Sequence, residues 1–158
     1  AAPLALVTGV RYNWLDADVA RPVNAVAFSR DFNYADWRAG LVYDVSPSAN
    51  VYAAWSTGSE PVETLLLIAP TDAQFDLTRF RQAEVGTKGV FMGGRAQWQL
   101  AAYWIEKRDL TTADPANPAR VVQVGKQSSR GVEAGVAGRF WRGGLVEANL
   151  AVLDARYD

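Results

Sequence analysis

Two groups of aromatic and cationic residues are the positions of this sequence best suited to bind a ligand. They are Phe32 and Tyr34 in one stretch, and Phe75, Arg79, Phe80 and Arg81 in another. Aromatic rings stack on flat ligands and arginine attracts negative charge, so a mixed surface of this kind suits a ligand that offers both. The alternative is that these aromatic side chains only pack the two stretches against each other.

The composition argues against an enzyme, a metal site and a nucleic-acid partner. The sequence contains no histidine and no cysteine, which removes the usual general base and the thiolate ligands of metals. Its 16 basic and 17 acidic residues give a net charge of −1, so no basic excess exists to hold a phosphate backbone. We therefore expect no catalytic residues, no metal ligands, no cofactor and no nucleic-acid partner.

Seven stretches alternate between apolar and polar residues with the two-residue period of a β-strand. They predict strands at residues 6–14, 34–44, 50–58, 82–91, 95–105, 127–138 and 145–154. In the last stretch Glu147 and Asn149 share one face, and the other face carries Val146, Ala148, Leu150 and Val152. The pattern predicts an all-β fold, an antiparallel meander of about seven long strands.

The connections between these stretches are in turn long and short. The long ones cover residues 15–33, 59–81 and 106–126. The short ones cover residues 45–49, 92–94 and 139–144. Strands of about ten residues, with tight turns at one rim and long loops at the other, are typical of a transmembrane β-barrel of the outer membrane. No apolar run approaches the ~18 residues that a membrane-spanning helix needs.

Several motifs resemble a known family. A first set reads GLVYD at 40–44, NVYAAWSTG at 50–58 and EVGTK at 84–88. A second set reads IEKRDL at 105–110, DPANP at 114–118, QVG at 123–125 and SRGVE at 129–133. In this order and spacing the first set resembles TonB-dependent outer-membrane receptors, and the second resembles their siderophore-receptor branch.

The resemblance implies both a location and a function. Residues 1–158 would be an internal segment of the C-terminal β-barrel of a TonB-dependent receptor, without its plug domain. Such a receptor lies in the outer membrane of a Gram-negative bacterium and transports ferric siderophores. Its partners would be the ferric siderophore, TonB acting through the missing plug region, and the lipid bilayer. On this view Phe32, Tyr34, Phe75, Arg79, Phe80 and Arg81 are the candidate substrate-binding residues.

Two other functions fit the same alternation. A complete small outer-membrane β-barrel with a structural or adhesion role would need an eighth strand, for which residues 19–28 are the candidate. A soluble β-sandwich binding module also has one apolar and one polar face. The charged residues of the polar face either line a solvated lumen or pair across strands, each pair contributing roughly 0.2–1 kcal/mol. They are Arg11, Arg38, Glu84, Lys88, Glu133 and Glu147.

Overall fold

The computed structural model describes residues 3–21, 26–61 and 75–157, which are almost entirely β-strand. The strands are β1 (Leu4–Arg21), β2 (Val26–Ser46), β3 (Ala49–Glu60), β4 (Thr78–Phe91), β5 (Ala96–Asp114), β6 (Asn117–Trp141) and β7 (Gly144–Tyr157). Each strand pairs antiparallel with the next, so their order across the sheet follows the sequence. The predicted all-β antiparallel meander is confirmed. Within the described ranges, no helix is long and apolar enough to span a membrane.

Every strand runs further toward the long connections than the alternation predicts. We call that end of the sheet the loop end and the opposite one the turn end. Residues 106–126, expected to form a loop, instead extend β5 and β6 into a hairpin that turns at Pro115 and Ala116. The expectation fails because alternation marks only the part of a strand that has one apolar face. The apolar run 65–68 lies outside the described residues.

The register of the sheet gives it one apolar and one polar face. Residues paired directly across strands lie on the same side of the sheet. One row crosses all the strands as Leu6, Leu41, Ala53, Val85, Ala102, Val132 and Val152. We call this side the apolar face. Glu84 and its partner Tyr103 lie on the opposite side, which we call the polar face.

The apolar face is not covered by any other part of the described chain. Val10 is 80% exposed, and Leu150 and Val152 are each 66% exposed. The described strands form one sheet and therefore a single layer. The β-sandwich alternative is wrong, because a sandwich buries its apolar face against a second sheet.

The sheet is open at both edges. β1 and β7 do not pair with each other, and they are the two edge strands of the described sheet. Of the region 19–28, the described residues continue β1 or begin β2, so they form no eighth strand. The alternative of a complete small barrel is therefore wrong. Because lipid cannot satisfy unpaired strand edges, such a sheet spans a membrane only as part of a larger closed barrel.

Candidate ligand-binding site

The sheet splits between β2 and β3 at its loop end. The ladder between these strands stops at Arg38 and Ser56, although β2 continues to pair with β1 and β3 continues to pair with β4. Side chains replace the missing ladder. The Thr57 hydroxyl accepts a hydrogen bond from the Trp37 N–H at 3.0 Å, and the Ser59 hydroxyl donates one to Asp36 at 3.0 Å.

A short segment that precedes β4 packs against β2 beside this split. Phe75 and Leu77 are 4% and 5% exposed, and both pack against Phe32, which is 4% exposed. The partly buried side chains around them are Leu15, Tyr34 and Val121. Leu15 and Phe32 are paired residues of the polar face, so the cluster lies on that side of the sheet. It is the largest group of buried apolar side chains in the described residues.

Polar contacts from two directions hold the same segment. On the β2 side, Arg30 donates a hydrogen bond to the Phe75 carbonyl at 3.2 Å, and its guanidinium lies 5.2 Å from the centre of the Phe32 ring. On the β6 side, the Gln123 amide accepts from the Asp76 N–H and donates to the Asp76 carbonyl, each at 2.8 Å. The segment therefore connects β2 to the β5–β6 hairpin.

A bulge in β5 supplies a further contact to this region. Asp109 has a φ of 59°, a left-handed conformation that aspartate adopts more readily than most residues. Its carbonyl accepts hydrogen bonds from the Thr78 hydroxyl at 3.2 Å and from Gln123 at 2.8 Å. The bulge thereby aims a backbone acceptor at the start of β4.

Phe80 completes the aromatic surface on the polar face. Its ring lies over Gly58, where a Cβ atom would stand 1.8 Å from the Phe80 Cζ, so only glycine leaves room for the ring. The Lys107 ammonium lies 6.0 Å from the centre of the same ring and pairs with Glu60 at 3.0 Å. This places an aromatic ring and a cation next to each other at the loop end.

A cleft of about 640 Å³ opens along the split, and we call it the loop-end cleft. Five of the six predicted site residues line it, namely Phe32, Tyr34, Arg79, Phe80 and Arg81. The sixth, Phe75, belongs to the adjoining apolar cluster. The structure therefore brings the six residues together at one place.

The two arginines approach the cleft from the other side of the sheet. Arg79 and Arg81 pair with Ser59 and Thr57, so they lie on the apolar face, while Phe80 lies on the polar face. The prediction of a loop at residues 59–81 gave these side chains no defined direction, whereas in a strand consecutive residues point to opposite sides. The alternating order of Arg79, Phe80 and Arg81 in the sequence is the signal that indicates this placement on opposite faces.

Glu106, which is not among the predicted site residues, contacts three cations in this cleft. Its carboxylate is almost completely buried, and it contacts Arg81 at 2.8 Å, Arg108 at 2.5 Å and Lys126 at 3.5 Å. The hydrogen bond from Arg108, with the charges of Arg108 and Arg81, holds the pKa of this carboxyl below its ordinary value, although burial acts in the opposite direction. The group is therefore a carboxylate at neutral pH and anchors the cations around it.

The charged residues of the polar face do not pair with one another. Within the described ranges, no ion pair within 4.0 Å joins any two of the six predicted there. Glu84 instead accepts hydrogen bonds from the Tyr52 hydroxyl at 2.6 Å and from Gln82 at 3.2 Å. At the turn end, Lys88 and Glu147 both line an open cavity of about 780 Å³. The interpretation as a solvated wall fits these contacts better than cross-strand ion pairing.

A match to a known family identifies the chain. The sequence profile described as "TonB dependent receptor-like, beta-barrel" matches residues 1–158. The chain belongs to this family. The resemblance seen in the motifs is confirmed, and the chain is part of a transmembrane β-barrel in the outer membrane of a Gram-negative bacterium. The family consists of transport receptors rather than enzymes.

Two named proteins are similar in sequence to this chain. The metal-pseudopaline receptor CntO of Pseudomonas aeruginosa (strain UCBPP-PA14) is 28% identical over 103 residues, which are 65% of this chain and 14% of that protein. The ferrichrome outer membrane transporter/phage receptor of Escherichia coli (strain K12) is 28% identical over 153 residues, which are 96% of this chain and 20% of that protein. The chain thus spans a fifth or less of the length of these relatives.

Solved structures share the fold. The pyoverdine outer membrane receptor FpvA from P. aeruginosa PAO1, bound to pyoverdine, matches with a TM-score of 0.77 and 23% identity over 100% of this chain and 23% of that one. The ferric-catecholate import receptor Fiu from E. coli K12 matches with a TM-score of 0.75 and 17% identity over 97% of this chain and 26% of that one. At these identities the likeness establishes the fold alone, as one section of a receptor barrel.

Proposed function

We propose that the whole protein is a TonB-dependent outer-membrane transporter for ferric siderophores, without enzymatic activity. The observation that carries this proposal is the family match across residues 1–158. The named relatives support a metal chelate as substrate, because one is described as a metal-pseudopaline receptor and the other as a ferrichrome outer membrane transporter. TonB acts through the plug domain of the receptor, which lies outside the barrel segment of residues 1–158.

The barrel wall has a defined orientation in this proposal. Receptor barrels of this class have 22 strands around a plugged lumen, so seven strands form about a third of the wall. The apolar face contacts lipid and the polar face lines the lumen. Because long connections face outward in bacterial barrels, the loop end lies at the cell surface.

The loop-end cleft is the proposed substrate-contacting surface of this wall. Tyr34 and Phe80 are partly exposed and reach a ligand by stacking. Phe32 and Phe75 are buried in the apolar cluster, so they support the surface beneath these rings. Arg79 and Arg81 line the other side of the cleft and add positive charge that attracts an anionic chelate.

Matched tyrosine variants of the whole receptor test the aromatic part of the site. Tyr34→Ala removes a ring from the cleft, whereas Tyr43→Ala removes one from the apolar face near the turn end. One aromatic contact contributes about 0.5–1.5 kcal/mol, so we expect Tyr34→Ala to weaken siderophore binding about two- to tenfold. Fluorescence quenching by the ferric siderophore measures the dissociation constant. Equal affinities of the two variants would contradict the proposed site.

Uptake of labelled ferric siderophore tests the transport function and the arginines. Deletion of the gene should abolish uptake of one siderophore from a panel, and the wild-type gene should restore it. We expect Arg79→Ala and Arg81→Ala to reduce uptake more than Lys88→Ala, since Lys88 lies at the turn end. Uptake that does not depend on the gene would contradict the proposed transport function. Equal uptake by all three variants would contradict the proposed role of the arginines.

A further inference from the structure

A glutamine side chain ties the residues just before β4 to the β5–β6 hairpin. Gln123 lies on β6, opposite Thr111 of β5, and it is not among the predicted site residues. Its amide oxygen accepts a hydrogen bond from the Asp76 N–H at 2.8 Å. Its amide nitrogen donates to the Asp76 carbonyl and to the Asp109 carbonyl, each at 2.8 Å. Both N–H donors and the oxygen of the amide are therefore in use.

The contacts with Asp76 imitate those of a paired strand. In an antiparallel sheet, two directly opposed residues of a hydrogen-bonded pair exchange two N–H···O=C bonds. The Gln123 amide makes the same two contacts with the N–H and the carbonyl of Asp76. Asp76 precedes β4 and lies outside every strand of the described sheet. The side chain therefore takes the place of a neighbouring strand at a point where the sheet has not yet begun.

The contact with Asp109 joins the same point to the bulge in β5. The Asp109 carbonyl accepts from Gln123 and also from the hydroxyl of Thr78, the first residue of β4, at 3.2 Å. Thr78 is 4% exposed, so water has little access to this end of the arrangement. We call the contacts of Gln123 with Asp76 and Asp109 the glutamine clamp. It fixes the approach to β4 relative to both strands of the hairpin.

The clamped segment forms part of the loop-end cleft. Asp76 and Leu77 line the cleft, and Gln123 lies outside this lining. The neighbours of Asp76 in the sequence, Phe75 and Leu77, are both buried against Phe32. The position of the Asp76 backbone therefore decides where both apolar side chains lie. The Gln123 side chain acts on the cleft through this backbone and not by contact with a ligand.

We propose that Gln123 is a positioning residue for siderophore binding. The glutamine clamp keeps residues 75–77 against β2, so the cleft is already formed when the ligand arrives. A ligand that enters a preformed cleft loses less free energy to the ordering of the protein around it. The inference rests on the proposed function, because it takes the loop-end cleft as the substrate-contacting surface. It adds the β5–β6 hairpin to the parts of the receptor that set its affinity.

The test compares two glutamine variants of the whole receptor. Gln123→Glu keeps the size of the side chain but turns an oxygen toward the carbonyls of Asp76 and Asp109. Gln127→Glu is the matched control, since Gln127 is exposed on the same strand and makes no side-chain hydrogen bond within the described ranges. We expect Gln123→Glu to weaken binding of the transported siderophore about tenfold, the effect of two lost hydrogen bonds. Gln127→Glu should leave the affinity nearly unchanged.

The concentration dependence of uptake separates positioning from damage to the fold. A positioning role raises the siderophore concentration that gives half-maximal uptake, while the maximal rate and the unfolding temperature stay near the wild-type values. A lower maximal rate with an unchanged half-maximal concentration would overturn the proposal, and so would equal losses in Gln123→Glu and Gln127→Glu. If Gln123→Glu does not assemble in the membrane, Gln123→Met decides. It is neutral, similar in length and without N–H donors, and its expected loss is also about tenfold.

Hydrogen exchange of the ligand-free receptor examines the clamp without any siderophore. The amides of residues 75–78 should exchange about tenfold faster in Gln123→Met than in the wild type, because the segment opens more often. The amides of β3 should exchange equally in both, and an unchanged rate at residues 75–78 would overturn the proposal. Faster exchange in a receptor that takes up no siderophore would overturn the proposed function. Unchanged affinity in a Gln123 variant of a receptor that does transport one would overturn this inference alone.

Discussion

The apolar rows of β5, β6 and β7 and the charged residues at the loop end lie on the same face of the same three strands, yet they differ completely in composition. We call the charged group the belt; it consists of Glu106, Arg108, Lys126, Arg130, Asp154 and Arg156. Ala102, Val132 and Val152 form a row without a polar atom in any side chain. Two residues further along each strand, Arg130 pairs with Asp154. Both groups of side chains point to the same side of the sheet. Their difference in composition therefore reflects a difference in the environment along the strands, apolar at one level and polar at the next.

Two tryptophans mark where these surroundings change. Trp55 and Trp104 lie in the same row as Arg130 and Asp154, with ring centres 6.3 Å apart. The Arg81 guanidinium lies 5.2 Å from the centre of the Trp104 ring. Tryptophan is enriched at membrane–water interfaces, where a ring meets lipid on one side and polar groups on the other. The belt therefore begins where the membrane ends.

The length of the apolar stretch agrees with this boundary. On β5 it runs from Ala96 to Trp104, which is about 27 Å along a strand at about 3.4 Å per residue. At a tilt of about 40° this corresponds to roughly 21 Å across the membrane, close to the apolar band of about 25 Å in such barrels. The remaining residues of β5, up to Asp114, extend beyond the bilayer.

The largest expected effect tests whether the loop end and the turn end of the sheet lie on opposite sides of the membrane. Single cysteines at Ala116, in the turn between β5 and β6, and at Ser48, in the turn between β2 and β3, are both exposed. We expect a membrane-impermeant thiol reagent to label Cys at position 116 on intact cells and to leave position 48 unlabelled. The sequence has no native cysteine to interfere. Labelling at position 48 alone would show that the belt lies on the periplasmic side.

The next largest effect compares the two faces at one height. Leu150 lies on the apolar face and its neighbour Asn149 on the polar face. Leu150→Arg should cost about 2–4 kcal/mol near the bilayer midplane, because the charge enters lipid. Asn149→Arg should cost much less, since its side chain meets the lumen. Reversible unfolding of the intact receptor in lipid measures both values, and equal costs would reverse the assignment of the faces.

Most of the fold was predictable because the membrane imposes a strict pattern. Alternation located the strands that the structure describes, and it placed Val146 and Leu150 on one face and Glu147 on the other. It missed the strand ends, such as β5 from Glu106 to Asp114, because both faces meet water there. The hydrogen bonds of a hairpin continue without an apolar face, so the alternation does not mark where they end.

The candidate site was predictable by residue type but not by geometry. The types of Phe32, Tyr34 and Phe80 led to the loop-end cleft. The opposite placement of Arg81 needed the strand assignment of residues 78–81. The role of Glu106 needed the register as well, since its partner Arg81 is 25 residues away in sequence. A buried carboxylate that contacts cations from two other strands arises only when the strands pair in the sheet, so it is not visible in the sequence.

The smallest expected effect compares the contributions of two loop-end glutamates to stability. Glu106 is buried among three cations, whereas Glu60 pairs with Lys107 while both side chains stay about half exposed. We expect Glu106→Gln to lower the free energy of unfolding at neutral pH by about 1 kcal/mol, because its cationic partners remain partly solvated. Glu60→Gln should have a smaller effect.

The pH dependence shows whether the charge of Glu106 causes this difference. Its folded pKa is lowered by the hydrogen bond from Arg108, so the stabilisation is fully present above the pKa of an unfolded glutamate. It should disappear as the pH falls through the lowered folded value. Unfolding of the wild type and of Glu106→Gln, measured from neutral to acidic pH, should therefore converge in acid. A gap that stays constant over this range would mean that packing around the carboxyl group, and not its charge, holds the cations of the belt in place.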